Sequence, residues 1–124
     1  MQSNIYIDPK IDIASDEYIG IIIEFKIKPA KTAVATCISN LTMEQAKQQV
    51  ETSHQIFQRE LKQLEESNIE YFIINTYKDS FNGVSMRLKG NTVQRLLRST
   101  VIKAIYKTEE MNVPKKPVDT RYQI

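Results

Sequence analysis

Residues 18–28, YIGIIIEFKIK, alternate in a period of two. Ile21, Ile23, Phe25 and Ile27 share one side, and Glu24, Lys26 and Lys28 share the other with Ile22. That pattern predicts a half-buried strand, and Pro29 ends it because proline has no N–H for a ladder. After an ambiguous stretch, AKTAVATCISNL, which suits a short helical turn or a loop, the period changes. Ala46, Val50, Phe57, Leu61 and Leu64 recur at three- and four-residue spacing, while Glu and Lys or Arg fill the remaining faces. This predicts an amphipathic helix. Thr42 and Gln45 stand at capping-box spacing, Glu44 sits at the positive end of the helix dipole, and the run closes near Asn68. The helix should have about seven turns at ~3.6 residues each.

IEYFIINTY (69–77) is β-branched and aromatic with no breaker, which predicts a second strand. KDS turns the chain ahead of an Asn82-Gly83 pair of the kind that marks a hairpin. A third strand then places Val84, Met86 and Leu88 inward and Ser85 and Arg87 outward. After KGN, Asn91 is suited to cap a short helix carrying Val93, Leu96 and Leu97, which Ser99-Thr100 breaks. VIKAIYK (101–107) predicts a fourth strand. The order β-α-β-β-α-β predicts an α+β, ferredoxin-like fold: a four-stranded antiparallel sheet with two helices on one face. Residues 1–17 read as an extended or loosely held N-terminal arm, 18–108 as the domain, and 109–124, aperiodic with two prolines, as a tail.

The chain has 124 residues, 41% hydrophobic and 26% charged, the size and make-up of one globular domain. A net charge of +2, spread along the sequence, lacks the concentrated basic stripe of a nucleic-acid binder. No apolar run approaches the roughly 18 residues that span a bilayer. Residues 1–10 lack the basic start and apolar stretch of a secretory signal. Either the protein is cytoplasmic or an export signal has been removed. The single cysteine, Cys37, excludes an internal disulfide and a cysteine-cluster metal site.

Reactive side chains do not converge at motif spacing. His54, the one histidine, falls between Val50 and Phe57 on the long helix and reads as a packed or helix-edge residue. Cys37 reads as a small filler. Glu65-Glu66 are neighbours whose side chains diverge on a helix. The three glycines stand singly, so no phosphate loop forms. No catalysis, cofactor or metal is expected. The third strand carries no aromatic platform for RNA, and the stretch after the first strand holds no arginine of the acylphosphatase kind.

Taken in order, YIGIIIEFKIKP, the long helix, IEYFIINTYKDSFNGVSMRL and NTVQRLLRSTVIKAIYKTEE resemble the propeptide/inhibitor domain of subtilisin-like serine proteases. That family opens on a Tyr-Ile-Val-x-Phe strand. It continues with a Tyr-x-x-x-Phe-Asn-Gly-Phe hairpin, a Leu-rich short helix and a Val-x-x-Val-x-x-Asp/Glu strand. Tyr77, Phe81, Asn82 and Gly83 match the hairpin, with Val84 replacing the usual aromatic. Ile102 and Ile105 match the last apolar pair, with Glu109 and Glu110 near the acidic position. The resemblance spans about residues 18–115 and is greatest to the long prosegments of bacterial secreted subtilases.

The resemblance implies a protease inhibitor and intramolecular chaperone that docks its sheet face on a subtilisin-like serine protease. The protease would be met in cis, as part of one precursor, or in trans. Glu109 and Glu110 would accept hydrogen bonds from partner helix N-termini. Met111, Asn112, Val113, Pro114 and Lys115 would enter the substrate cleft. It implies secretion as part of a precursor, the alternative being a cytoplasmic stand-alone inhibitor. The free chain is expected to be a monomer, without nucleic-acid or membrane partners. The competing reading is a ferredoxin-like regulatory or oligomerisation domain for a small ligand or a protein.

Overall fold

The computed structural model describes residues 4–36 and 40–108. Its elements run β1 (Tyr6–Ile7), β2 (Tyr18–Phe25), α1 (Ala30–Thr36), α2 (Met43–Glu66), β3 (Tyr71–Tyr77), β4 (Gly83–Lys89), a 3₁₀ helix (Gly90–Arg98) and β5 (Ile102–Lys107). One mixed sheet forms in the order β1-β5-β2-β4-β3. The expected four-stranded antiparallel sheet is therefore corrected to a five-stranded mixed one. The four longer strands pair antiparallel, and β1 adds a parallel strand on β5.

The two periodicities account for the core. Ile21, Ile23 and Phe25 of β2 meet Val84, Met86 and Leu88 of β4 and Ile102 and Ile105 of β5. Phe57, Leu61 and Leu64 of α2 and Val93 and Leu96 of the 3₁₀ helix pack on the same cluster. α2 and the 3₁₀ helix therefore cover one sheet face, and burying each large side chain there contributes roughly 1.5–3 kcal/mol. Thr42 and Gln45 form the reciprocal capping box, each side chain 3.0 Å from the other's backbone N–H. At the other end Asn68 takes a positive φ of 62°. The Asn68 and Ile69 N–H groups return to the Glu65 and Leu64 carbonyls, a Schellman ending.

The stretch after Pro29 takes the helical one of its two expected forms, as α1 over Ala30–Thr36; Cys37 lies outside the described residues. Two local expectations change. The short helix expected after KGN is 3₁₀, and Asn91 does not cap it; Lys89 stands at the cap with no side-chain bond. Instead the N-terminal arm satisfies its first donors, Gly90 N–H to the Glu17 carbonyl at 3.1 Å and Asn91 N–H to that of Ser15 at 2.7 Å. A Cβ on Gly90 would stand 2.3 Å from the Asp12 carbonyl, so this close approach needs glycine. The arm is pinned elsewhere too: Ile11 is in the core, and the Asp8 carboxylate accepts the Lys107 N–H at 3.1 Å.

Candidate partner-binding face

The strand residues that alternate with the core make up the other sheet face, which the described helices leave open. The register sets it out in rows. Tyr106, Ile22, Ser85 and Asn75 form one; Gly20, Arg87 and Phe72 the next; Tyr18 and Lys89 a third. Tyr6 and Ala104 extend a further row at the β1 edge. Three of the large apolar side chains most open to solvent lie here: Phe72 at 52%, Tyr6 at 51% and Tyr106 at 39%. Their rings gather in two places. Tyr6 and Tyr106 have centroids 5.6 Å apart, and Tyr18 and Phe72 5.8 Å. Exposed aromatic pairs of this kind make the face a candidate protein contact site.

The Tyr18 corner opens into a groove of about 910 Å³ that also holds Glu65, Glu70, Tyr71 and Lys89. The Tyr18 hydroxyl donates to Glu70 at 2.7 Å, which raises its pKa. Tyr71 donates to Glu65, and burial together with that carboxylate pushes its pKa up to about 12. Both phenols are therefore held as hydrogen-bond donors near neutrality.

A contrasting polar cluster lies on the helix side. Asn82 is 1% exposed. Its amide Nδ2 donates to the Ile27 carbonyl at 2.8 Å and to Ser53 Oγ at 3.1 Å. Its Oδ1 must then accept, so His54 Nε2–H donates to it at 2.8 Å and also reaches the Tyr77 carbonyl at 3.1 Å. Burial lowers the His54 pKa, and these two bonds oppose the shift in part. The Asn82-Gly83 pair is thus no exposed turn. Asn82 ties the hairpin to α2, and Gly83 has no positive φ. A Cβ on Gly83 would fall 1.9 Å from the Ile23 carbonyl, so the glycine is needed for close strand approach. His54 is a packed residue, as its place in the apolar stripe predicted.

Glu109, Glu110, Met111, Asn112, Val113, Pro114 and Lys115 lie outside the described residues. The strand that leads to them is placed: β5 ends at Lys107, and the Thr108 N–H bonds the Gly20 carbonyl at 3.0 Å. Sequence reasoning put Arg87 on the outward side but assigned no role to it or to Tyr6, Tyr18, Phe72 and Tyr106. The available signal was the polar half of each alternation, which is read as solvated by default. Among the described residues no group of three or more His, Cys, Asp or Glu side chains could hold a metal ion.

A search of curated proteins returned no match, and neither did a search of solved structures. The family model for peptidase inhibitor I9 matches residues 21–113, which begins within β2, takes in every later element through β5 and runs on past it. The chain therefore belongs to the peptidase inhibitor I9 family, the propeptide domain of subtilisin-like proteases, an inhibitory rather than a catalytic unit.

Proposed function

We propose that the chain inhibits a subtilisin-like serine protease and templates its folding, docking through the open sheet face and placing the tail in the substrate cleft. The observation that carries this reading is the open face itself. In a chain of an inhibitor family, Tyr6, Phe72 and Tyr106 stand exposed opposite the helices. Glu109 and Glu110 follow β5 after Thr108 and suit exposed N–H groups at partner helix N-termini. Residues 111–115 would pair in the cleft as an added strand, although Pro114 interrupts the ladder because it has no donor. Templating needs only that the domain bind native protease better than unfolded protease. The chain would be secreted within a precursor and be monomeric when free.

The test is to titrate the purified chain into bacterial subtilisins while following peptide hydrolysis. Inhibition is expected, and a chain lacking residues 110–124 should inhibit more weakly with an unchanged melting temperature. No inhibition of any of several subtilisins, with the chain intact afterwards, would sink the reading. Equal inhibition by the truncated chain would sink the cleft mechanism alone.

A further inference from the structure

We propose that Asp8 is a positioning residue for inhibition, whose carboxylate clamps the end of β5 and fixes the direction in which the tail leaves the sheet; this rests on the tail-in-cleft reading above. β1 lies parallel to β5 at the edge of the sheet, with Tyr6 opposite Ala104 and Ile7 opposite Ile105. The Asp8 N–H continues that ladder and donates to the Ile105 carbonyl at 2.8 Å. A regular parallel ladder would next give the Lys107 N–H to the Asp8 carbonyl. That carbonyl instead accepts the Ile11 N–H at 3.0 Å, because the chain turns away at Pro9. The carboxylate takes its place: the Lys107 N–H donates to Asp8 Oδ2 at 3.1 Å. Oδ1 accepts the Lys10 N–H at 3.0 Å, which holds the carboxylate in that pose.

The clamp stands at the root of the tail. On the opposite side of β5 the Thr108 N–H donates to the Gly20 carbonyl at 3.0 Å. Consecutive N–H groups are thus held from two sides, Lys107 by the arm and Thr108 by β2. The arm is itself anchored. Ile11 is in the core, the Glu17 and Ser15 carbonyls hold the Gly90 and Asn91 N–H groups, and the Tyr6 ring packs 5.6 Å from that of Tyr106. Asp8 therefore ties the residue before the tail to the rigid body of the domain. The N–H bonds from Lys10 and then Lys107 hold its pKa below the ordinary carboxylate range, against a smaller opposing effect of burial. An ionised acceptor makes the stronger kind of hydrogen bond. A segment entering a cleft loses less conformational freedom when its root is already ordered, and within one interface such gains show mainly as slower dissociation. The arm precedes the matched residues 21–113, so the clamp is an addition to the matched unit.

The experiment compares the native chain with Asp8→Ala and Asp8→Asn, all at full length. It reads association and dissociation rates with a bacterial subtilisin whose nucleophilic serine is replaced by alanine, and backbone amide exchange in the free chain. In Asp8→Ala the dissociation rate should rise about tenfold, while the association rate stays within about twofold of the native one. The Lys107 amide should exchange at least about tenfold faster, while Met86 in the core keeps its native rate. Asp8→Asn keeps one acceptor oxygen for two donors and should fall between. A merely destabilised domain behaves differently: the binding-competent fraction falls, association slows, and Met86 exchange accelerates together with Lys107. That result overturns the inference. Faster dissociation with native exchange at Lys107 also overturns it, since Asp8 would then touch the protease directly. Native binding with no change of dissociation in Asp8→Ala overturns the inference alone, and no binding by the native chain overturns it together with the docking reading.

Discussion

β4 presents two faces built from alternate residues of one strand, and they are completed in different ways. Val84, Met86 and Leu88 are at most 1% exposed, sealed by side chains from α2, the 3₁₀ helix and the neighbouring strands. Ser85 and Arg87 point the opposite way, toward a face that no described helix covers. Polar groups divide along the same line. On the helix side His54, Ser53 and Asn82 satisfy one another and the Ile27 and Tyr77 carbonyls. On the open side a buried guanidinium nitrogen has no partner among the described residues, and two tyrosine–aromatic pairs face solvent. The closed face sets stability; the open face is the one proposed to bind.

The largest test of that division sets one substitution on each face side by side. Met86→Ala should lower unfolding free energy by about 2–5 kcal/mol, because a fully packed site cannot collapse to fill the space. The denaturant midpoint should move while the slope stays constant. Tyr106→Ser on the open face should change stability by no more than about 0.5 kcal/mol yet weaken inhibition of a subtilisin severalfold. Comparable destabilisation by the two would erase the distinction between the faces.

Asn82 sharpens the polar half of the comparison. Asn82→Ala would leave the His54 Nε2–H, the Ile27 carbonyl and the Ser53 hydroxyl without this partner in a site closed to water. A loss of about 1–3 kcal/mol is expected, read from urea denaturation. In a double-mutant cycle with His54→Gln the two changes should be non-additive, since they share one network. Strict additivity would mean that the bonds contribute separately and that the network is not a unit.

The parts legible in the sequence are those set by local period and local capping. The alternation of 18–28 places Ile21, Ile23 and Phe25 in the core, and Thr42 with Gln45 fixes the start of α2. The family resemblance was carried by the order of these pieces, and the match over residues 21–113 bears it out. What stayed hidden depends on contacts distant in sequence. Asn82 next to Gly83 has the composition of a tight turn, and only its contacts to Ile27, Ser53 and His54 make it a buried bracket. The two residues of β1 carry no period at all, and they form a strand because β5 offers a free edge. Gly90 and Asn91 begin a 3₁₀ helix whose first donors go to Glu17 and Ser15, so no capping side chain was there to be read. Arg87 needed most of all the third dimension: an outward arginine is ordinary, whereas one with a buried, unpaired Nε is not.

The smallest expected effect is a dependence of stability on pH, and its sign follows from His54. Burial lowers the His54 pKa below its ordinary 6.5, against bonds to Asn82 and the Tyr77 carbonyl that raise it. Of the nearby charges, Lys78 lowers it further and Glu51 raises it; those two are also paired with each other at 2.7 Å. In the unfolded chain the ring takes up a proton as the pH falls through about 6.5, whereas in the folded chain it resists protonation to lower pH. The unfolded state therefore binds more protons in that window. The contribution of neutral His54 is complete above the unfolded value and is lost progressively as pH falls toward and through the folded one. Asp8, whose pKa is lowered by the Lys10 and Lys107 N–H groups, acts in the same direction but at the lower pH of carboxylates. Between about pH 7 and 6 the native chain should lose no more than about 0.7 kcal/mol. His54→Gln should lose much less there, because its amide can still donate to Asn82 and does not titrate. If both chains fall equally over that unit, His54 is not the group responsible, and the bracket it forms with Asn82 is indifferent to protons.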